Sequence, residues 1–227
     1  MTKAPRAGAV KTRLQPPLTA EEAAALNACF LRDTAAAISN AGEAAAGVAV
    51  YAPADAAGEY ATIFPPDFAL IPQRGDGFGE RLSNAATDLL ALGFEACCLI
   101  DSDSPTVPAA QFEEAVRILA HGGDDAVVLG PSDDGGYYLI GMRQLHPLLF
   151  ENIEWSTERV FEQTRSAAAR AGLALHLLAT GFDVDDRATL RRLCDELLGR
   201  DNAAAPFTKK FLRDLIAREG GDRIWPA

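Results

Sequence analysis

"ACCLIDSDSP", residues 96–105, changes character in mid-stretch: the apolar run Ala96 to Ile100 passes directly into Asp101, Ser102, Asp103 and Ser104. An apolar run without polar alternation fits a strand covered on both faces, as in the parallel sheets of α/β proteins. Acid at its carboxyl end falls where open α/β sheets bind ligands. Outward from this stretch, strand-length apolar runs alternate with segments of helical period. Thr19 with Glu22 forms a capping-box signature, and Leu26, Phe30, Ala37 and Ile38 share a helical face behind it, which predicts a helix over about Ala20 to Ala41. Strands are expected at Gly47–Pro53, Phe68–Gln73, "AVVLGP", "YYLIGM" and "LALHLLA". Helices are expected at Phe78–Leu92, Ala109–Ala120, Glu158–Ala171 and Arg187–Leu198. The pattern predicts an α/β fold, a doubly wound and mostly parallel sheet with helices on both faces.

With 227 residues and 48% apolar content, the chain can bury one sizeable core. One domain is expected over residues 1–199. "RDNAAAP" then reads as a linker, with a terminal helix over Phe207–Arg218 packing back within residues 200–227. A net charge of -11 repels polyanions, so nucleic acid and anionic membranes are poor partners. No run of 18 apolar residues could span a bilayer, and the first twenty residues lack the apolar stretch of a signal peptide, so a cytoplasmic location is expected. Cys29, Cys97, Cys98 and Cys194 form no CxxC and read as buried thiols.

Asp101 and Asp103, one residue apart beyond a strand, can aim two carboxylates at a hard cation that also bridges phosphate oxygens. Asp-Ser-Asp-Ser-Pro also makes an ordinary turn. A phosphatase of the haloacid-dehalogenase type would use the first Asp as nucleophile, but it needs a later lysine, and none lies between Lys11 and Lys209. The opening "KAPRAGAVKTRL" gathers Lys3, Arg6, Lys11 and Arg13 around Gly8. Glycine lets backbone N–H groups approach an anion, and the cations supply charge to it. His121, His146 and His176 are scattered, which gives no support to histidine-based hydrolysis.

Taken in order, "KAPRAGAVKTRL", "QRGDGFGERL", "DSDSP", "GPSDDGGYYLIG", "WST" and "FDVDD" resemble the radical-SAM and selenodomain-associated transferase family. That bacterial family is similar to A-type glycosyltransferases and to nucleotidyltransferases such as the molybdenum-cofactor and phospholactate guanylyltransferases, all within the nucleotide-diphospho-sugar transferase superfamily. The resemblance implies that Gly8, Lys11 and Arg13 cradle nucleotide phosphates and that Gln73, with Gly77 and Gly79, faces the base. It implies Asp103 as a metal ligand, with Asp183 or Asp185 supplying the second carboxylate to Mg²⁺ or Mn²⁺; the expected pair is Asp103 and Asp185. Asp185 or Asp186 also reads as a helix cap. Asp133, Asp134, Gly135, Gly136 and Tyr137 suit the acceptor side, the two glycines leaving N–H groups free, although "DDGG" equally makes a hairpin turn. Trp155 either stacks on a ring or belongs to the core.

Four cations plus one metal balance a triphosphate, whereas a diphosphate needs little beyond the metal. The expected chemistry is therefore metal-dependent nucleotidyl transfer from an NTP to a small phosphorylated or hydroxyl acceptor, with Asp103, Lys11 and Arg13 as catalytic residues. Glycosyl transfer from a nucleotide sugar is the alternative, followed by a nucleotide-binding module without catalysis. In the family a buried strand feeds directly into "KAPRAG", yet only Met1 and Thr2 precede it here. In a 3-2-1-4 strand order that strand lies between Val48–Tyr51 and Cys97–Ile100, and its absence leaves a slot about 10 Å wide. The expectation is that the native protein begins several apolar residues upstream of Met1.

Overall fold

The computed structural model describes residues 1–199 and 203–225; residues 200–202 of the expected linker lie outside them. Helix α1 (Ala20–Ser39) starts where the sequence places it, because Thr19 Oγ1 accepts from the Glu22 amide while the Glu22 carboxylate accepts from the Thr19 amide. Strands β1 (Thr2–Lys3), β2 (Val48–Ala52) and β3 (Ala69–Pro72) pair in parallel in the order β1-β2-β3. Between β2 and β3 lies the short α2 (Ala57–Tyr60). A second sheet has the order β4-β6-β5-β7 over β4 (Cys97–Ile100), β5 (Ala126–Pro131), β6 (Tyr137–Met142) and β7 (Ala174–Leu177). Its β6 runs antiparallel to both neighbours, and β5 pairs with β7 in parallel.

Helices α3 (Phe78–Ala91), α4 (Ala109–His121) and α5 (Val160–Arg170) cover the sheets. β5 shows the two-faced burial. Val127 and Leu129 pack with Leu82 and Ala86 of α3 and Ala167 of α5, while Val128 packs with Phe112 and Leu119 of α4. This alternation explains why the strand is apolar throughout. Helices α6 (Arg187–Leu198), α7 (Pro206–Glu219) and α8 (Gly221–Ile224) form a further layer with α1, burying Leu26, Phe30, Leu193 and Leu212 together. Asp33 fastens α7 to α1 by accepting from the amides of Phe207 and Thr208 at 3.0 and 2.8 Å. The terminal helix α7 thus packs against α1.

The two sheets do not pair directly. β1 meets β2 only at Thr2 opposite Tyr51 and Lys3 opposite Ala52, and the Met1 amino group donates to the Ile100 carbonyl of β4 at 2.7 Å. Behind this contact lies a cavity of about 530 Å³, flanked by Val48–Val50 on one side and Cys97–Ile100 on the other, with Ile38 and Phe112 among its walls. The slot expected from the sequence is present, and β1 fills only its carboxyl end. Burial pulls the Met1 amine down to about 6, even though Asp101 and Asp103 favour its charge. An uncharged amide N–H would make the same bond to Ile100 without that desolvation. Joining five apolar β-branched residues to Met1 should therefore raise the melting temperature by several degrees, and a Gly/Ser extension of equal length should not; differential scanning fluorimetry of the two fusions decides it.

Candidate functional site

The carboxyl ends of β1, β4, β5 and β7 converge on one cleft. Beyond β4 the DSDSP turn is organised by Asp101, whose carboxylate accepts from Ser104 Oγ at 2.8 Å and from the Asp103 amide at 3.3 Å. Asp101 therefore holds the turn, and Asp103 is the member of the pair that faces the cleft. The turn is tied to the segment after β7 by the Val184 amide, which donates to the Asp103 carbonyl at 2.9 Å.

That segment, Phe182–Asp186, divides its acids by task. Asp186 caps α6, accepting from the Thr189 amide at 2.8 Å. Asp185 is left to face the cleft, its backbone held by the Thr189 hydroxyl at 3.0 Å. Of the two candidate caps, the structure selects Asp186. Asp183 lies deeper, and burial, with the nearby charges of Asp134 and Asp185, pushes its carboxyl up to about 6.

Lys11 closes the arrangement. Its Nζ lies 2.7 Å from Asp103 Oδ1 and 2.9 Å from Asp185 Oδ1, and it donates to the Val184 carbonyl at 2.8 Å. The side chain is only 4% exposed and passes the Phe30 ring, 5.5 Å from its centroid. Burial opposes its charge, but the two carboxylates outweigh that and raise its pKa. Its backbone occupies the left-handed region at φ 49°, unusual for a residue with a side chain. Gly8 is also left-handed, at φ 75°. Arg13 is largely exposed and reaches Asp185 Oδ2 at 3.9 Å.

The other two opening cations serve elsewhere. Lys3 Nζ donates to the Ala9 carbonyl at 2.9 Å and so pins the loop, while Arg6 pairs with Glu59 and Asp55 near α2. The loop's cationic contribution to the cleft is therefore two side chains, not four. Gln73 does not present its amide nitrogen to a ligand: Nε2 donates to the carbonyls of Thr2 and Val50 at 2.9 and 3.0 Å, tying β1 to β2. Gly77 is the N-cap of α3, and a side chain there would meet nothing within 4 Å. The Asp76 amide beside it is already taken by Glu80 at 2.8 Å. Gly79 is a packing residue, since a Cβ there would lie 2.5 Å from the Phe150 carbonyl and 2.8 Å from Trp155 Nε1. Trp155 is partly buried against Phe78 and Tyr137, ring centroids 5.1 and 6.5 Å away, which favours its core role.

The expectation of free amides in the DDGG turn is corrected. Gly135 donates to the Ser132 carbonyl at 3.2 Å and Gly136 to Asp134 Oδ1 at 2.8 Å, so the hairpin consumes its own donors. Gly135, at φ 89°, has the Glu158 carbonyl 2.2 Å from where a Cβ would sit. Tyr137 is likewise not open to an acceptor: burial drives its hydroxyl well above the usual range. Asp133 is ion-paired with Arg192, which lies 3.8 Å over the Phe182 ring. What remains on the acceptor side is Asp134, exposed at the rim. Sequence reasoning missed Phe30 as the wall behind Lys11 and the Val184 carbonyl as its third acceptor. The only hints were the position of Phe30 on the inner face of α1 and that of Val184 within "FDVDD".

Asp101 makes a testable contribution to pH dependence. Burial, reinforced by the charge of Asp103, raises its carboxyl to about 7. A carboxyl whose pKa is higher folded than unfolded favours the folded state while protonated. Its contribution is present below about pH 4 and is lost as the pH rises to about 7. The Met1 amine, lowered to about 6, acts in the opposite sense between about pH 6 and 8, so the comparison must be made against a variant. Asp101→Asn should gain stability over wild type on going from pH 5 to pH 8, by several degrees in melting temperature, and an unchanged difference would remove Asp101 from the pH response.

Comparison with known proteins agrees with this architecture. A search of curated proteins gives no match. The chain is similar in structure to a protein from Desulfovibrio desulfuricans G20 described as a "putative nucleotide-diphospho-sugar transferase", with 29% identity, 96% of this chain and 95% of that one covered, and a TM-score of 0.84. Residues 34–157, more than half of the chain and including the DSDSP and DDGG turns, match the family model described as "Uncharacterized protein conserved in bacteria", so the chain belongs to the DUF2064 family.

Proposed function

We propose that this protein transfers a glycosyl group from a nucleotide-diphospho-sugar to a small hydroxyl or phosphorylated acceptor, assisted by Mg²⁺ or Mn²⁺. The observation that carries this reading is the count of cations in the cleft. Four had favoured a triphosphate, but Arg6 is committed to Glu59 and Asp55 and Lys3 to the Ala9 carbonyl, leaving Lys11 and Arg13. Two cations and one metal suit a diphosphate. The likeness to the Desulfovibrio protein supports the same donor class.

The residues present fit a divalent cation. Asp103 and Asp185 are hard oxygen donors that already grip one positive centre between them. No cluster of three acidic, histidine or cysteine ligands exists among the described residues. Two carboxylates plus substrate phosphate oxygens are a common Mg²⁺ set. When bound, the ion would neutralise the diphosphate as it leaves. Arg13, exposed at the mouth, is placed to meet the outer phosphate. The amide of Gly8, an exposed residue, donates to no group among the described residues and could meet a phosphate oxygen. Asp134 offers the acceptor hydroxyl a carboxylate oxygen across the cleft, and the hairpin that bears it is fixed by its own hydrogen bonds.

Incubation with UDP-, GDP- and ADP-sugars and with each NTP, with Mg²⁺ or Mn²⁺, tests the reading. Free nucleoside diphosphate from one sugar donor is expected, and Asp103→Asn or Asp185→Asn should lower its release at least 100-fold without changing the circular dichroism. Pyrophosphate released from an NTP, with no diphosphate from any sugar donor, would instead establish nucleotidyl transfer.

A further inference from the structure

We infer that Lys11 is an exchangeable resident cation: it occupies the Asp103–Asp185 pair, excludes free divalent metal from it, and yields that place only when a polyphosphate arrives to accept its charge. This rests on the proposed metal-assisted use of the same carboxylates and adds the order in which the site fills.

The first ground is saturation. An ammonium has three N–H donors, and those of Lys11 are matched by three acceptors: Asp103 Oδ1 at 2.7 Å, Asp185 Oδ1 at 2.9 Å and the Val184 carbonyl at 2.8 Å. No donor is left for a phosphate, so Lys11 cannot hold the carboxylates in this way and a nucleotide at the same time. The second ground is space. A metal bridging Asp103 and Asp185 would stand where Nζ now stands, and Phe30, fully buried behind the side chain, bars any retreat inward. The displaced ammonium must move toward the cleft mouth, where Arg13 and the loop amides lie.

Charge sets the order. Exchange with a hydrated divalent ion alone would leave an ammonium beside a dication with no anion of its own, in a pocket where Lys11 is only 4% exposed. A polyphosphate brings several negative charges and offers Lys11 a new partner as the metal takes the old ones. The backbone is suited to such movement. Lys11 sits left-handed at φ 49° and ψ 37°, a region unfavourable for a residue with a side chain. The three contacts of Nζ help to hold it there, and their release would let this part of the loop relax.

Mn²⁺ binding, followed by the loss of the free-ion electron paramagnetic resonance signal, tests the exchange without any turnover. Lys11→Met should bind Mn²⁺ at least tenfold more tightly than wild type, and adding Asp103→Asn should abolish that gain. Lys11→Gln, which keeps a hydrogen-bonding side chain without charge, should behave like the Met variant and stands in for it if the latter misfolds. In wild type, Mn²⁺ with tripolyphosphate should raise the melting temperature by more than the sum of their separate shifts. Equal or weaker Mn²⁺ binding by the neutral variants, or merely additive shifts, would overturn the exchange while leaving a metal site in place. Folded Lys11 variants that bind no Mn²⁺ at all would overturn it together with the metal-assisted reading.

Discussion

A single ammonium joins three parts of the chain that are far apart in sequence. Lys11 belongs to the loop after β1, Asp103 to the turn after β4 and Asp185 to the segment after β7, and all meet at Nζ within 2.9 Å. The two acidic segments are also joined directly, through the Val184 amide and the Asp103 carbonyl. Among the described residues the loop has no such backbone tie to them; the Lys11 side chain, the Lys3 contact that closes the loop upon itself and Leu14, buried in one cluster with Phe182 and Val184, set its place over the cleft. A buried charge survives here because its hydrogen-bonding capacity is fully met by two carboxylates and a carbonyl.

The slot between β2 and β4 places that dependence in context. Elsewhere in the structure a strand delivers each cleft segment from a paired ladder. β1 contributes two residues, and the Met1 amine takes the place of a ladder amide at Ile100. Gln73 compensates in part, its side chain reaching from the end of β3 to the carbonyls of Thr2 and Val50. A glutamine that the family resemblance would set against a nucleotide base here reinforces the root of the opening loop.

Elements with strong local signals were legible from sequence. The apolar run of β5, the capping box of α1 and the helix over Arg187–Leu198 were found within a residue or two of their bounds, because each rests on spacing and on chemistry a few residues away. Asp103 and Asp185 could be picked out as candidates because they follow apolar strands, where open α/β sheets place their ligand-facing residues. What failed depended on distant partners. Nothing in "KAPRAG" reveals that Arg6 meets Glu59, since α2 is a four-residue helix without periodicity. Nor does "GFG" show that Gly79 must admit Trp155. In DDGG the turn propensity and the free donors were both read, but a tight hairpin spends the donors on itself, so only the first could hold.

The reversed strand β6 gives the cleft two walls of different stiffness. One wall is the hairpin from β5 into β6, where chain enters and leaves through long paired strands and where Ser132 also bridges Gly181. The other is the opening loop, rooted in two paired residues and left-handed at Gly8 and Lys11. A ligand entering between them meets an anvil on the hairpin side and a spring on the loop side. Any shape selection at this cleft would therefore fall to the hairpin, and any closing movement to the loop.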